Sequence, residues 1–258
     1  MSDVEIRVLP ALRDNYIFLV HEPVLGVTAV VDPAEPGPVE QALAREGWSL
    51  DLILNTHHHA DHVGANLHLK EAFGARIYGP AADAARIPGI DRALAHGDEV
   101  AFGATRARVL DVPGHTRGHI AWWFFQDAAV FVGDTLFAGG CGRMFEGTAP
   151  QFWSSLRILR DLPAETHVYC AHEYTEANLR FALTVDGDNP DLVARVTEVA
   201  EVRAAGRPTI PTSIGVERAT NPFLRCDRPA LAAAVDLPGA DPARVFGAVR
   251  AAKDAYRG

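Results

Sequence analysis

The sequence predicts a mixed α/β domain that gives way to a helical tail. Short apolar, β-branched runs alternate with amphipathic segments through the first two thirds of the chain, and such runs nearly stop after Tyr174. Beyond that point two helical stretches each open on a side-chain cap followed by proline, Asn189-Pro190 and Asp241-Pro242.

The elements follow in order. EIRVL, NYIFLV and GVTAVVD read as strands, because short runs rich in Val, Ile, Tyr and Phe suit a pleated surface. A helix is expected from Pro38 to Glu46, then the strand DLILNT. A helical segment from Leu67 to Phe73 and the strand ARIYG come next, followed by DEVAF, RARVLDV, HIAWWFF and AAVFVGD with polar, Gly-rich joints between them. Gln151 to Arg160 reads as a helix and THVYCAH as a further strand. In the tail, Leu192, Val193, Val196, Val199 and Ala200 recur at helical spacing after Pro190, as do Val245, Val249, Ala252 and Tyr256 after Pro242. The stretch from Pro208 to Pro222 reads as an irregular connector. Two domains are expected, 1–173 and 174–258.

Composition narrows the function classes. The chain has 258 residues, 48% hydrophobic and 22% charged, enough to bury a core without disulfide or metal staples. A net charge of −9 argues against a nucleic-acid partner, which would call for a basic face. Cys141, Cys170 and Cys226 are widely spaced and form no C-x-x-C pair, so neither a disulfide framework nor a zinc ribbon is expected. With no leader-like start and no apolar run of membrane-spanning length, a cytoplasmic protein without a membrane partner is expected.

The chemistry concentrates in THHHADH, residues 56–62, directly after the strand DLILN. In an extended stretch His57 and His59 share a face, and a following helix would redirect Asp61 and His62 to a second point nearby. An isolated histidine is usually a surface or satisfied core residue, but four imidazole and carboxylate groups at one strand end suit metal binding. Matching groups stand at later strand ends: His115 in PGHTRGH, Asp134 closing AVFVGD and His172 closing HVYCAH.

These motifs, together with FVGDTLFAGGCGRMFEG, CAHEYT, NPFLR and the terminal RAAKD, resemble the metallo-β-lactamase-fold hydrolases, and among them the glyoxalase II (hydroxyacylglutathione hydrolase) family. The resemblance spans essentially the whole chain. It implies an α/β fold, an αββα metallo-β-lactamase sandwich followed by a small C-terminal α-helical domain that completes the substrate pocket. It implies two divalent metal ions, Zn2+ or alternatively Fe or Mn, one taking His57, His59 and His115, the other Asp61, His62 and His172, with Asp134 bridging. Asp61 and Asp134 are thereby also catalytic, since a hydroxide held between the ions would attack the thioester carbonyl. The implied reaction cleaves S-2-hydroxyacylglutathione, such as S-D-lactoylglutathione, to glutathione and a 2-hydroxy acid, the detoxification of methylglyoxal. Arg143, Phe145, Tyr174, Arg250 and Lys253 fall at the family's substrate-binding positions, and a monomer acting on a small-molecule glutathione thioester is expected.

Two positions depart from the pattern of some family members: Arg143 stands where those have lysine and Phe145 where they have tyrosine. Arginine keeps the positive charge, whereas phenylalanine donates no hydrogen bond. Arg250 and Lys253 are i and i+3 on the expected last helix, and are expected to point out of the core together. Cys141, with no base beside it, reads as part of a tight turn rather than as a nucleophile. His21, His58, His68, His96, His119 and His167 read as structural or solvated, with His58 and His119 closest to a supporting role. The competing functions are a lactonase or RNA-processing phosphodiesterase on the same scaffold, a persulfide dioxygenase with one iron, and a non-enzymatic metal-binding protein.

Overall fold

The computed structural model describes residues 4–258, which form two compact units: one contains residues up to 111 and 117–133, the other 112–116 and 134–258.

The first unit contains β1 (Glu5–Ala11), β2 (Asn15–Glu22), β3 (Val27–Val31), α1 (Pro36–Glu46), β4 (Leu52–Leu54), α2 (Ala60–Val63), α3 (Asn66–Phe73), β5 (Arg76–Pro80) and β6 (Arg92–Leu94). It closes with β7 (Glu99–Phe102), β8 (Thr105–Asp111), β9 (Ile120–Phe124) and β10 (Ala129–Gly133). β1 to β6 lie side by side in chain order, antiparallel through β3 and parallel from β3 onward. β7 to β10 form an antiparallel meander. NYIFLV is apolar almost throughout because β2 is buried on both faces. Ile17 and Leu19 join Val39, Leu43 and Leu69 of α1 and α3 in one core cluster. Phe18 points the opposite way, 5.4 Å from Phe131 of the meander, which in turn meets Phe124 edge to face.

The parallel pairing of β3 with β4 decides the site. Val31 lies opposite Leu54, so both chains emerge from the same sheet edge, with Asp32 beside Thr56 and His57. After β4 the backbone of THHHADH bends at Thr56 and His57, is extended at His59, and enters α2 at Ala60.

The second unit contains a two-stranded hairpin, β11 (Leu136–Phe137) and β12 (Gly140–Cys141), then α4 (Ala149–Arg160) and β13 (His167–Cys170). α5 (Thr175–Asp186), α6 (Pro190–Ala204), β14 (Thr212–Ser213), α7 (Ile214–Thr220), α8 (Pro229–Ala234) and α9 (Pro242–Ala255) follow. Phe152, Phe246 and Phe223 form an aromatic chain through its core, with Phe181 beyond Phe223. Asn189 caps α6 by accepting from the amides of Asp191 and Leu192, and Asp241 caps α9 through Ala243.

Three expectations need correction. The stretch 208–222 is not irregular throughout: Thr212 and Ser213 pair with β13, and Ser213 caps α7. Val193, Ala200 and Ala252 share the helical spacing of the apolar stripes yet are exposed, while Phe246 carries the α9 stripe. Arg250 does not point out of the core; it is buried at 5% exposure because its guanidinium donates to the carbonyls of Cys141 (2.9 Å) and Gly142 (3.4 Å). Among the described residues, no helix is long and apolar enough to cross a membrane.

Candidate active site

In the first unit the structure brings His57, His59, Asp61 and His62 together. The His57 ring lies 4.7 Å from that of His59 and 4.0 Å from that of His62, and Asp61 Oδ2 lies 3.6 Å from His62 Nε2. Asn15 orients Asp61, donating from Nδ2 to its carboxylate at 3.1 Å.

Asp32, which lies outside the motifs that mark the other candidate residues, holds this cluster in place. Its Oδ1 accepts from the Thr56 amide at 2.8 Å, and its Oδ2 accepts from the Thr56 hydroxyl at 2.6 Å and from His62 Nδ1 at 3.0 Å. Its backbone is left-handed, with φ of 49°, a conformation Asp adopts more readily than most residues. The signal available in the sequence was the acidic residue closing GVTAVVD, the same strand-end placement that marked Asp134. Asp32, His57 and His62 are all buried, with ligand atoms within 4.8 Å of one another. His119 stacks on His57 at 4.6 Å, and His58 bonds through Nδ1 to buried Asp83 at 3.1 Å.

In the second unit Asp134 lies between two imidazoles. Its Oδ2 is 3.4 Å from His115 Nε2 and its Oδ1 is 3.3 Å from His172 Nε2. The opposite nitrogen of His115, Nδ1, lies 2.8 Å from the Arg143 carbonyl and can only donate there.

The donor set fits divalent metal. Because the Thr56 hydroxyl gives its proton to Asp32, its oxygen accepts from His57 Nδ1 at 3.0 Å. With Nδ1 of His57, His62 and His115 each donating, the neutral rings present Nε2 lone pairs, a tautomer suited to ligating metal through Nε2. At His115 that lone pair faces a carboxylate oxygen, two electron-rich atoms that a cation between them reconciles.

The five expected substrate residues line one cavity of about 460 Å³, together with His115 and Asp134. Tyr174 stacks on His172, with ring planes 2° apart and centroids at 4.8 Å. Phe145 is 61% exposed at the cavity wall, 5.2 Å from the His115 ring. Lys253 reaches the Ala177 carbonyl at 2.9 Å, and burial together with the Arg250 and Arg180 charges brings its ammonium down to about 8. Cys141 is buried and its thiol is pushed up to about 11, as desolvation outweighs the nearby Arg250 charge. A thiol held in that form is a poor nucleophile.

Residues 15–172 match the metallo-beta-lactamase superfamily model, and residues 173–256 match the model of the hydroxyacylglutathione hydrolase C-terminus. A hydroxyacylglutathione hydrolase of Methylococcus capsulatus (strain Bath) is 55% identical over 255 residues, covering 99% of this chain and all of its own length. One from Synechococcus sp. (strain JA-2-3B'a(2-13)) is 58% identical over 249 residues, 96% of this chain and 98% of its own. Among solved structures, TTHA1623 in a di-iron-bound form is 28% identical with a TM-score of 0.62, over 85% of this chain and 100% of that one. The fold is therefore the metallo-β-lactamase α/β sandwich with a helical C-terminal region, and the chain belongs to the hydroxyacylglutathione hydrolase family.

Proposed function

We propose that this chain hydrolyses the thioester of S-2-hydroxyacylglutathione, giving glutathione and a 2-hydroxy acid, on a centre of two divalent metal ions. The observation that carries the reading is the Asp134 carboxylate set between Nε2 of His115 and Nε2 of His172, with the His115 tautomer fixed from behind. His57, His59 and His115 would hold one ion, Asp61, His62 and His172 the other, and Asp134 both. Zinc is the expected metal, with iron or manganese compatible with the same donors. In this reading 1–173 is the catalytic domain, which also supplies Arg143 and Phe145 to the substrate, and 174–258 is the helical substrate-binding domain of a cytoplasmic monomer.

When bound, such cations supply Lewis acidity and bring the pKa of a bound water from 15.7 to about 7. The chain's own groups bind and orient. Arg143 and Lys253 offer positive charge to the two carboxylates of glutathione, and Tyr174 offers a flat face to the peptide. Phe145, unable to donate a hydrogen bond, contributes apolar surface beside His115. No general acid is needed for departure of the product thiolate, because a thiol of pKa ~8.5 is a good leaving group.

A panel of thioesters assayed on protein of measured metal content tests the proposal. Hydrolysis of S-D-lactoylglutathione with two ions per chain is expected. Oxygen consumption with a single iron and no hydrolysis would replace it with the dioxygenase reading, and undiminished turnover after complete chelation would remove the metal centre. The relatives matched over nearly the whole chain carry the hydrolase name, which favours hydrolysis over the lactonase and dioxygenase alternatives.

A further inference from the structure

The β11–β12 hairpin is only two residues deep on each side, and its turn is held by side chains from elsewhere in the second unit. Asn221 Nδ2 donates to the carbonyls of Phe137 (3.1 Å) and Gly140 (2.9 Å). Glu217 Oε2 accepts from the Gly139 amide at 2.9 Å, and Asn178 Nδ2 donates to the Ala138 carbonyl at 3.2 Å. Glu217 and Asn221 are bonded to each other at 2.9 Å, and both are at 0% exposure. The other oxygen of Glu217 is fixed by Arg195 and by the Thr212 hydroxyl. Asn221 opens the NPFLR motif, to which the substrate and metal assignments give no role.

The open end of the same hairpin carries the chemistry. Asp134 stands two residues before β11, and Arg143, whose carbonyl orients His115, stands two residues after β12. The two ends are tied at Gly142, whose amide donates to the Thr135 carbonyl at 3.4 Å and where a Cβ would run into the Asp134 carbonyl. So short a ribbon has little freedom to bend between its turn and its open end. Where the turn is seated fixes both the Asp134 carboxylate and the acceptor for His115 Nδ1.

We propose that Glu217 and Asn221 are positioning residues for the metal centre, acting through the hairpin on Asp134 and His115 without touching metal or substrate. The inference rests on the two-metal reading above. Losing Asn221 strands two buried carbonyls, and converting Glu217 to glutamine places an amide donor against Arg195 or Asn221, both of which donate. Either change lets the hairpin shift.

Zinc affinity, measured by competition with a chromophoric chelator, and kcat and KM for the glutathione thioester are compared in wild type, Asn221→Ala, Glu217→Gln and the control Ser213→Ala. The control removes the hydroxyl that caps α7 through the Val216 amide, and so weakens the same region without touching the hairpin. Asn221→Ala and Glu217→Gln should weaken zinc binding ~10- to 100-fold, the usual effect of losing a group that orients a ligand. They should lower kcat with KM little changed, while Ser213→Ala lowers only the melting temperature. If Asn221→Ala does not fold, Glu217→Gln decides. Wild-type zinc affinity and kcat in folded variants, or equal losses in Ser213→Ala, would overturn the inference alone. A wild-type chain that binds no zinc would take the two-metal reading down with it.

Discussion

Asp32 Oδ2 lies 3.0 Å from His62 Nδ1, with both side chains buried, and the same oxygen takes the hydroxyl of Thr56. One carboxylate therefore sets the direction of two neighbouring imidazoles, His62 directly and His57 through Thr56. Asp32→Ala should lower metal affinity ~10- to 100-fold, as for other groups that orient a ligand, with a smaller loss in Asp32→Asn, which keeps one acceptor. Chelator competition measures this, and unaltered affinity in folded Asp32→Ala would show that the pair is only structural.

Asp134 contacts His115 with one oxygen and His172 with the other, so its loss should cost more than that of any single histidine. Asp134→Ala is expected to lose metal from both sites and to retain almost no turnover, whereas His59→Ala should keep one ion. Metal analysis after gel filtration, alongside kcat, distinguishes the two outcomes. Near-normal kcat with two ions in Asp134→Ala would exclude the bridging role.

Lys253 gives the cavity a pH dependence. Its ammonium, drawn down to about 8 first by burial and then by the Arg250 and Arg180 charges, is charged below that pH and neutral above it. Carboxylate binding should therefore hold below pH 8 and fail above, so kcat/KM for the glutathione thioester declines through that range. A short thioester lacking glutathione should show no such decline. Lys253→Ala should raise KM roughly 10-fold at neutral pH with kcat little changed, the mark of an interaction equal in ground and transition states. The lowered value also means that the charged lysine burdens the fold fully below pH 8, a burden that fades as pH rises toward the ordinary 10.5.

Arg250→Ala should behave differently from Lys253→Ala. The Arg250 guanidinium holds the Cys141 and Gly142 carbonyls, pairs with Asp254 at 3.0 Å and lies 5.1 Å over the Phe223 ring. Its removal should lower kcat and melting temperature as well as raise KM, and should impair the short thioester too. A pure KM effect confined to the glutathione substrate would assign Arg250 to binding alone.

Cys141 should prove dispensable for chemistry. With its thiol pushed up to about 11 and its side chain buried, alkylation by iodoacetamide at neutral pH should be negligible in the native state. Cys141→Ala should keep kcat within a few-fold of wild type, measured at full metal loading. Loss of turnover with metal retained would reopen the covalent route.

The sequence by itself determined which residues are candidate ligands and the types of element that carry them. Ligand chemistry is a property of single residues, and strand alternation and helix capping are properties of short windows, so THHHADH, Asp134, His172, Asn189 and Asp241 announce themselves locally. Tertiary structure alone decided which groups stand behind them. Asp32 meets His62 across 30 residues of chain, Asn221 meets the Phe137 carbonyl across 84, and Arg250 meets the Cys141 carbonyl across 109. Helical spacing placed Arg250 and Lys253 on one face, and the packing of the chain turned that face inward at Arg250 while leaving Lys253 partly buried at the cavity. Periodicity reports which side of an element is apolar on average, whereas a buried polar side chain goes where a distant backbone group lacks a partner, and that pairing exists only once the chain has folded.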